Sequence, residues 1–262
     1  MVDIYRAIVE LRERGQDCAL CTIIETKGST PGKAMMKMLV TRDGRFIGSV
    51  GGGCLEAEVL EAALASLQDE RPRLLSFALN ERDYPDSGLI CGGKLSIYVE
   101  PIVEPKLYLF GGGHVSGAIA KLASGVGFHV TVADDRAEFA QAERHPHAQA
   151  FHAGPFAELA RRIAPAADAY VIAATRGHDQ DGLVLSALAA AGCRPRYLGM
   201  IGSTAKKTLL FEQLAAAGVP ADFLARVESP MGLPIGARSH DEIAVSVVAR
   251  LIERRRLGAS GG

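Results

Sequence analysis

Tryptophan is absent from the 262 residues, and aromatic residues make up only 6%. Base-stacking platforms are therefore scarce, which argues against nucleic acid as a partner. Charge of either sign is not in excess either. The formal net charge is −1, so the chain has no basic field for nucleic acid and no acidic tail. No apolar run approaches the roughly 20 residues that a membrane span needs. The opening MVDIYRAIVELRERG carries Asp3 and Glu10 and lacks the apolar core of a signal peptide. Five cysteines, an odd number, do not suit a disulfide framework in a chain this long. These absences together predict a cytoplasmic protein with free thiols. A last absence is local, since no histidine occurs before His114.

What is present reads as two domains. In the first 104 residues a helix near Ile4–Leu11 precedes a buried-type strand, CALCTIIET. A hairpin follows, with Asp43-Gly44 as its turn signal. A helix from Cys54 carries an apolar stripe of Leu55, Val59, Ala62 and Ala63. RLLSFAL and the alternating KLSIYVEPI are further strands. Beyond Pro101 and Pro105 the texture changes, and apolar strands (KLYLF, HVTVADD, AYVIAAT, RYLGMIG) alternate with helices. That alternation predicts a parallel sheet covered on both faces. The fold class expected is α/β: a Rossmann-like doubly wound domain over residues 105–256, preceded by a smaller α+β domain over 1–104, with a disordered tail at 257–262. Ser239 and Glu242 form a capping box at the start of the last helix.

Chemistry concentrates where bare backbone meets helix starts. LYLFGGGHVSGAIA places glycines between a strand and a helix, the context of a dinucleotide-binding turn. Gly111 permits the tight turn, and Gly113 lets a phosphate approach the helix N-terminus. His114 stands beside that anion site. The third fingerprint position is Ser116, so the match is partial. Asp134 follows Gly113 by about 20 residues, the spacing expected of an acid that holds a ribose hydroxyl. Alternatively the glycines serve only close packing and Asp134 a cap. TRGHDQD, after the third strand, offers His178 and Asp181 at the same sheet edge, or merely starts a helix.

The thiols divide by context. Cys18 and Cys21 are three apart in a strand, which points them to opposite faces and argues against a metal site. Cys193 reads as incidental. In GSVGGGCLEAE, by contrast, Gly51, Gly52 and Gly53 run straight into Cys54 at a helix N-terminus. The dipole there favours a thiolate, while Glu56 and Glu58 oppose it. Cys91 in LICGGK, beside Gly92, is a second thiol on bare backbone.

Read together, GSTPGKAMMKMLV, GSVGGGCLEAEVLEAA, CGGKLSIYVEPI, GGGHVSGAIAKLA, VADDRAEFA, TRGHDQDGLVL, YLGMIGSTAKK and PMGLPIGARSHDEIAVSVVARL resemble the XdhC/CoxI family, accessory proteins of molybdenum hydroxylases such as xanthine dehydrogenase. The resemblance implies a homodimeric chaperone, without turnover of its own. It would bind molybdenum cofactor, support its sulfuration with a cysteine desulfurase, and deliver it to an apo-hydroxylase. It implies that Cys54 meets the metal, with Cys91 as the second choice, and that the glycine turns suit the cofactor's phosphate. One loop departs from the family, with Gly32 where Arg is common and Ala34-Met35-Met36 where Pro-Gly-Ala is common. Two other readings stand beside this one. The first is an NAD-dependent oxidoreductase using Gly111, Gly113 and Asp134, with His114 or His178 as acid/base. The second is a structural partner protein of an enzyme, with a vestigial nucleotide fold.

Overall fold

The structure, a computed structural model, describes residues 3–78 and 93–258. It divides into two compact units, Met1–Glu104 and Pro105–Gly262. The loop holding Cys91 and Gly92, and the end of the expected tail, lie outside the described residues.

In the first unit the order is α1 (Ile4–Glu13), β1 (Cys18–Lys27), β2 (Lys37–Thr41), β3 (Phe46–Gly48), α2 (Cys54–Asp69), β4 (Arg73–Ala78) and β5 (Lys94–Ile102). Asp3 caps α1 by accepting from the amides of Tyr5 and Arg6. The strands form one sheet in the order β3-β2-β1-β5-β4, and every pair in it is antiparallel. Alternation along β1 sends Cys18 and Leu20 to the face that α1 covers, and Ala19, Cys21 and Ile23 to the face that α2 covers. The C-x-x-C pair is thus split between two cores. Burial pushes the Cys18 thiol up to about 11, helped by Asp17, and the Cys21 thiol up to about 12. Both remain neutral thiols at ordinary pH.

The second unit runs β6 (Lys106–Phe110), α3 (His114–Gly125), β7 (His129–Asp134), a 3-10 turn at Ala137–Phe139, β8 (Ala150–Ala153), α4 (Phe156–Ile163), β9 (Tyr170–Ala173), α5 (His178–Ala190), β10 (Tyr197–Met200), α6 (Thr204–Ala216), α7 (Ala221–Leu224), β11 (Val227–Glu228) and α8 (His240–Leu257). All its pairings are parallel, in the order β11-β10-β9-β6-β7-β8. That is the doubly wound order, with its reversal between β6 and β9. Buried residues of α4, α5 and α6 cover one face, and those of α3 and α8 cover the other. The sequence reading has only four of these six strands. The two it lacks, β8 and β11, are the short sheet edges of four and two residues. Such short segments carry no periodic signal of their own.

The capping box that starts α8 is present, with both Ser239 and Glu242 bonded across it. Two turns on, the Ser246 hydroxyl donates to the Leu233 carbonyl at 2.6 Å, and the Leu233 amide donates to the Ser246 carbonyl at 3.1 Å. The PMGLPIG loop is thereby fastened along α8. Among the described residues, no helix is long and apolar enough to cross a membrane.

Candidate functional site

The glycine run of the first unit is held in shape from within. Gly51, Gly52 and Gly53 all have positive φ (132°, 83° and 66°), which any side chain would strain. Glu56, in the first turn of α2, reaches back under them. Its Oε1 accepts from the Ser49 hydroxyl at 2.6 Å, the Val50 amide at 3.2 Å and the Gly52 amide at 3.1 Å. Ser49 Oγ in turn accepts from the Gly51 amide at 3.1 Å. Two of the three glycine amides that the sequence reading sets aside for a ligand are therefore engaged by the chain itself. The reason is elementary: amides converging at a helix N-terminus draw the nearest anion, and here that anion is Glu56. Beyond this clamp the loop opens. A Cβ built at Gly52 or Gly53 would meet nothing within 4 Å, and Cys54 is exposed as a free thiol. Of the other described cysteines, Cys18, Cys21 and Cys193 are all buried.

The Gly32 departure has a packing reason. A Cβ there would lie 2.4 Å from Ile23 Cδ1 and 2.5 Å from the Val50 carbonyl oxygen, so this backbone admits no arginine. Lys37, nearby, donates to the Met35 carbonyl at 3.2 Å.

In the second unit the three glycines after β6 do different things. Gly111 (φ 108°) lies so close to β9 that a Cβ would fall 2.2 Å from the Ala174 oxygen. At Gly112 a Cβ would fall 2.1 Å from the Phe139 oxygen. These two are required by close backbone approach within the chain. Gly113 alone faces open space, at the N-terminus of α3, which no side chain caps.

Asp134 holds this turn. Its Oδ2 accepts from the Gly112 amide at 2.8 Å, and its Oδ1 from the Arg136 amide and Nε, both at 3.0 Å. Burial alone would raise its pKa. The bonds from Arg136 and Gly112 outweigh that, and the carboxyl lies below its ordinary value. The carboxylate is buried and bonded inward, where the spacing rule expects it to meet a ribose hydroxyl.

His145 gives no signal in the sequence, yet it is central here. Its Nε2 sits 3.2 Å from the Gly112 oxygen and 3.0 Å from the Phe139 oxygen. Two carbonyl partners require Nε2 to carry the proton. Burial pushes the imidazole below the usual histidine range, against the pull of those carbonyls. The neutral ring then leaves Nδ1 as a bare acceptor, and Nδ1 is buried without a partner. Arg136 and Arg144 both stack on Phe139, at 3.5 and 4.0 Å from the ring centroid. A cavity of about 510 Å³ opens beside the turn, lined by Gly113, His114, Gly117, Ala118, Lys121, Arg144, His145, His240 and Asp241. His114 and His240, the first residues of α3 and α8, stack across it with centroids 5.4 Å apart and planes within 7°.

His178 lies apart from this cavity, at the start of α5. It lines a smaller one of about 190 Å³ with Arg176, Asp181, Met200 and Lys206. Asp181 Oδ1 accepts from the Thr175 amide at 2.9 Å and its hydroxyl at 2.7 Å, and burial raises the carboxyl's pKa above the ordinary value. Arg176 pairs with Asp135 at 2.8 Å, joining the exit of β9 to that of β7. Among the described residues, no group of three or more His, Cys, Asp or Glu side chains is placed to hold a metal ion.

Comparison with known proteins follows these two units. Residues 107–251 match the family model described as the XdhC Rossmann domain, and residues 11–78 match that of the XdhC and CoxI family. The Escherichia coli protein YqeB is 33% identical over 100% of this chain, which spans only 48% of that relative. A Bacillus subtilis protein, named as one probable component of xanthine dehydrogenase, is 24% identical over 98% of both chains. The Escherichia coli molybdenum cofactor insertion chaperone PaoD is 25% identical over 96% of this chain and 88% of its own length. A solved structure from Bacillus halodurans, described as a xanthine dehydrogenase, shares the fold with a TM-score of 0.53 at 23% identity, covering 99% of this chain and 98% of that one. The family models together take in most of both units, and the chain belongs to the XdhC and CoxI family.

Proposed function

We propose that the chain is a maturation factor that binds molybdenum cofactor, protects it and hands it to an apo-hydroxylase of the xanthine dehydrogenase type. The relatives named for cofactor insertion and for xanthine dehydrogenase support this reading. The observation that carries it is Cys54: an exposed free thiol at the start of α2, beside two glycines that open on empty space. A thiolate is a soft ligand of the type that suits molybdenum already bound by sulfur. With Gly53 and Cys54 at the open end of the loop, the backbone leaves room for a bulky ligand to approach that sulfur. Cys91 and Gly92 are the second thiol locus of the same reading. Gly113 and His114, within the second unit, form an uncapped helix start of the kind that receives a phosphate. Sulfuration of the cargo with a cysteine desulfurase, action as a homodimer and residence in the cytoplasm complete the proposal. In this reading the chain has no turnover of its own. A nicotinamide-dependent reading is less well supported, because Asp134 holds Gly112 and Arg136 instead of facing a ligand.

The test is purification from cells that make molybdenum cofactor, followed by measurement of bound molybdenum and of released pterin fluorescence. Wild type is expected to carry both. Cys54→Ala should keep the same thermal midpoint and lose most of the cofactor, since the side chain is exposed and supports no packing. Equal retention by Cys54→Ala would show the thiol assignment to be wrong. A thermal shift with NAD and no bound molybdenum or pterin would replace the reading altogether.

A further inference from the structure

TRGHDQD, the stretch after β9 that the cofactor reading leaves unused, lines a cavity of its own. It measures about 190 Å³ and lies past the ends of β9 and β10, whereas the strand order reverses between β6 and β9. We infer that this cavity binds a short aliphatic carboxylate, whose head takes a hydrogen bond from the Asp181 carboxyl and charge from Lys206, and whose hydrocarbon end lies on Met200 and Leu210.

Asp181 carries the inference. It is 4% exposed. Both bonds from Thr175 arrive on Oδ1, from the amide at 2.9 Å and from the hydroxyl at 2.7 Å. Oδ2 has no hydrogen-bond partner among the described residues, and it is not one of the sealed atoms that lack one. It therefore opens on the cavity that Asp181 lines. With Oδ1 accepting twice, the proton of the acid form stands on Oδ2. Burial favours that acid form and raises the pKa above the ordinary carboxyl value. A carboxylic acid aimed into a cavity is a donor, and a carboxylate oxygen is among its strongest partners.

The rest of the wall sets charge and size. The Lys206 ammonium makes no ion pair among the described residues, while Arg176 is already matched by Asp135 at 2.8 Å. One unmatched ammonium and one acid proton suit a single negative charge spread over two oxygens. A dianion such as sulfate would lack its second cation, and an ammonium ligand would be repelled by Lys206. Met200 and Leu210, both buried, give the apolar part of the lining. The space corresponds to roughly six waters at about 30 Å³ each, which suits an acid of a few carbons. The charges that act on Asp181 are those of Lys206 on α6 and of His178 on its own helix, the latter paired with the exposed Asp179 at 3.2 Å. The inference rests on the second unit alone and goes beyond the chaperone reading.

The experiment is calorimetric titration of the full chain, produced without cofactor, with butyrate, acetate and butyramide. Butyrate should bind at one site per chain, about tenfold more tightly than acetate because two more methylenes are buried. Butyramide, which carries no charge, should bind at least about fivefold more weakly than butyrate. Between pH 5.5 and pH 8 the wild-type affinity for butyrate should fall by about tenfold or more, as Asp181 loses its proton. Asp181→Asn keeps an oxygen for Thr175 and puts an amide N–H where the acid proton stood. It should bind butyrate with an affinity that changes by no more than about threefold over that range, the part left to the exposed His178. His178→Gln should keep the wild-type fall. Lys206→Met, at an exposed position, should fold and weaken butyrate by about fivefold. Absence of saturable butyrate binding overturns the site, and so does butyramide binding as tightly as butyrate. Acetate matching butyrate overturns the apolar seat, and an unaltered Lys206→Met overturns the placement of the head. A flat wild-type profile, an Asp181→Asn profile that still falls, or a flat His178→Gln profile overturns the role of Asp181. None of these outcomes involves molybdenum, pterin or Cys54, so failure here is separable from failure of the chaperone reading.

Discussion

Asp134 and Asp181 both lie buried near the carboxyl edge of the parallel sheet, yet they titrate in opposite directions. Asp134 is held ionised by Arg136 and Gly112 against its burial. Its stabilising contribution is present above the unfolded carboxyl value of about 3.9 and is lost as pH falls through its lower folded value. For Asp181, burial outweighs the bonds from Thr175, so the folded chain binds its proton more tightly than the unfolded chain does. Stability there declines as pH rises from about 3.9 through the raised folded value. Asp134→Asn should therefore cost about 1–3 kcal/mol at pH 7, through loss of a charge-assisted acceptor, and less at pH 3, below the unfolded carboxyl value of about 3.9. Asp181→Asn should be neutral or stabilising at pH 7, because the amide oxygen can still accept from Thr175 without burying a charge. Urea denaturation of both variants at the two pH values checks the pair; equal losses at pH 7 would contradict the assignment. Sequence spacing locates Asp134 but not its partners. The Gly112 amide and the Arg136 guanidinium become its neighbours only once β6 and β7 pair. His145 is illegible for the same reason, since an isolated histidine in a loop carries no pattern.

Among the elements, the start of α2 shows how a local signal is right in kind and incomplete in detail. The glycines and the helix formers mark a helix beginning at Cys54, and the helix begins there. What the composition does not reveal is that Glu56 folds back onto Ser49, Val50 and Gly52. In the sequence Glu56 is only a charge that opposes a thiolate. Its second effect is mechanical, because it fixes a loop of positive-φ glycines that would otherwise lose much entropy on ordering. Glu56→Ala should lower unfolding stability by about 1–3 kcal/mol, by leaving part-buried amides unpaired, and should release cofactor along with it. Glu56→Gln keeps an acceptor oxygen in place and should recover most of both. Denaturation midpoints and bound pterin measure the two effects, and an unaltered Glu56→Ala protein would remove the clamp from the account. The edge strands β8 and β11 make the complementary point. Their identity comes from pairing with β7 and β10, which sequence periodicity cannot express.

At the scale of the whole molecule, each unit builds its buried clusters from its own residues. The second unit closes a six-stranded sheet with helices on both faces, which is the extent of core an independent domain needs. A fragment covering 105–258 should accordingly fold alone and unfold in one cooperative transition; a fragment that is molten by near-ultraviolet dichroism and binds a hydrophobic dye would refute this. The alternation of apolar strands with helices determined the α/β class from sequence alone, and the period-two pattern of β1 determined that Cys18 and Cys21 part company. Both are local consequences of backbone geometry, in which side-chain direction follows residue spacing. Tertiary structure alone decided which amides, acids and histidines meet. The Gly52 amide is closed by Glu56, the Gly112 amide by Asp134, and His240 faces His114, because residues distant in sequence are brought to one edge only by strand order and helix packing.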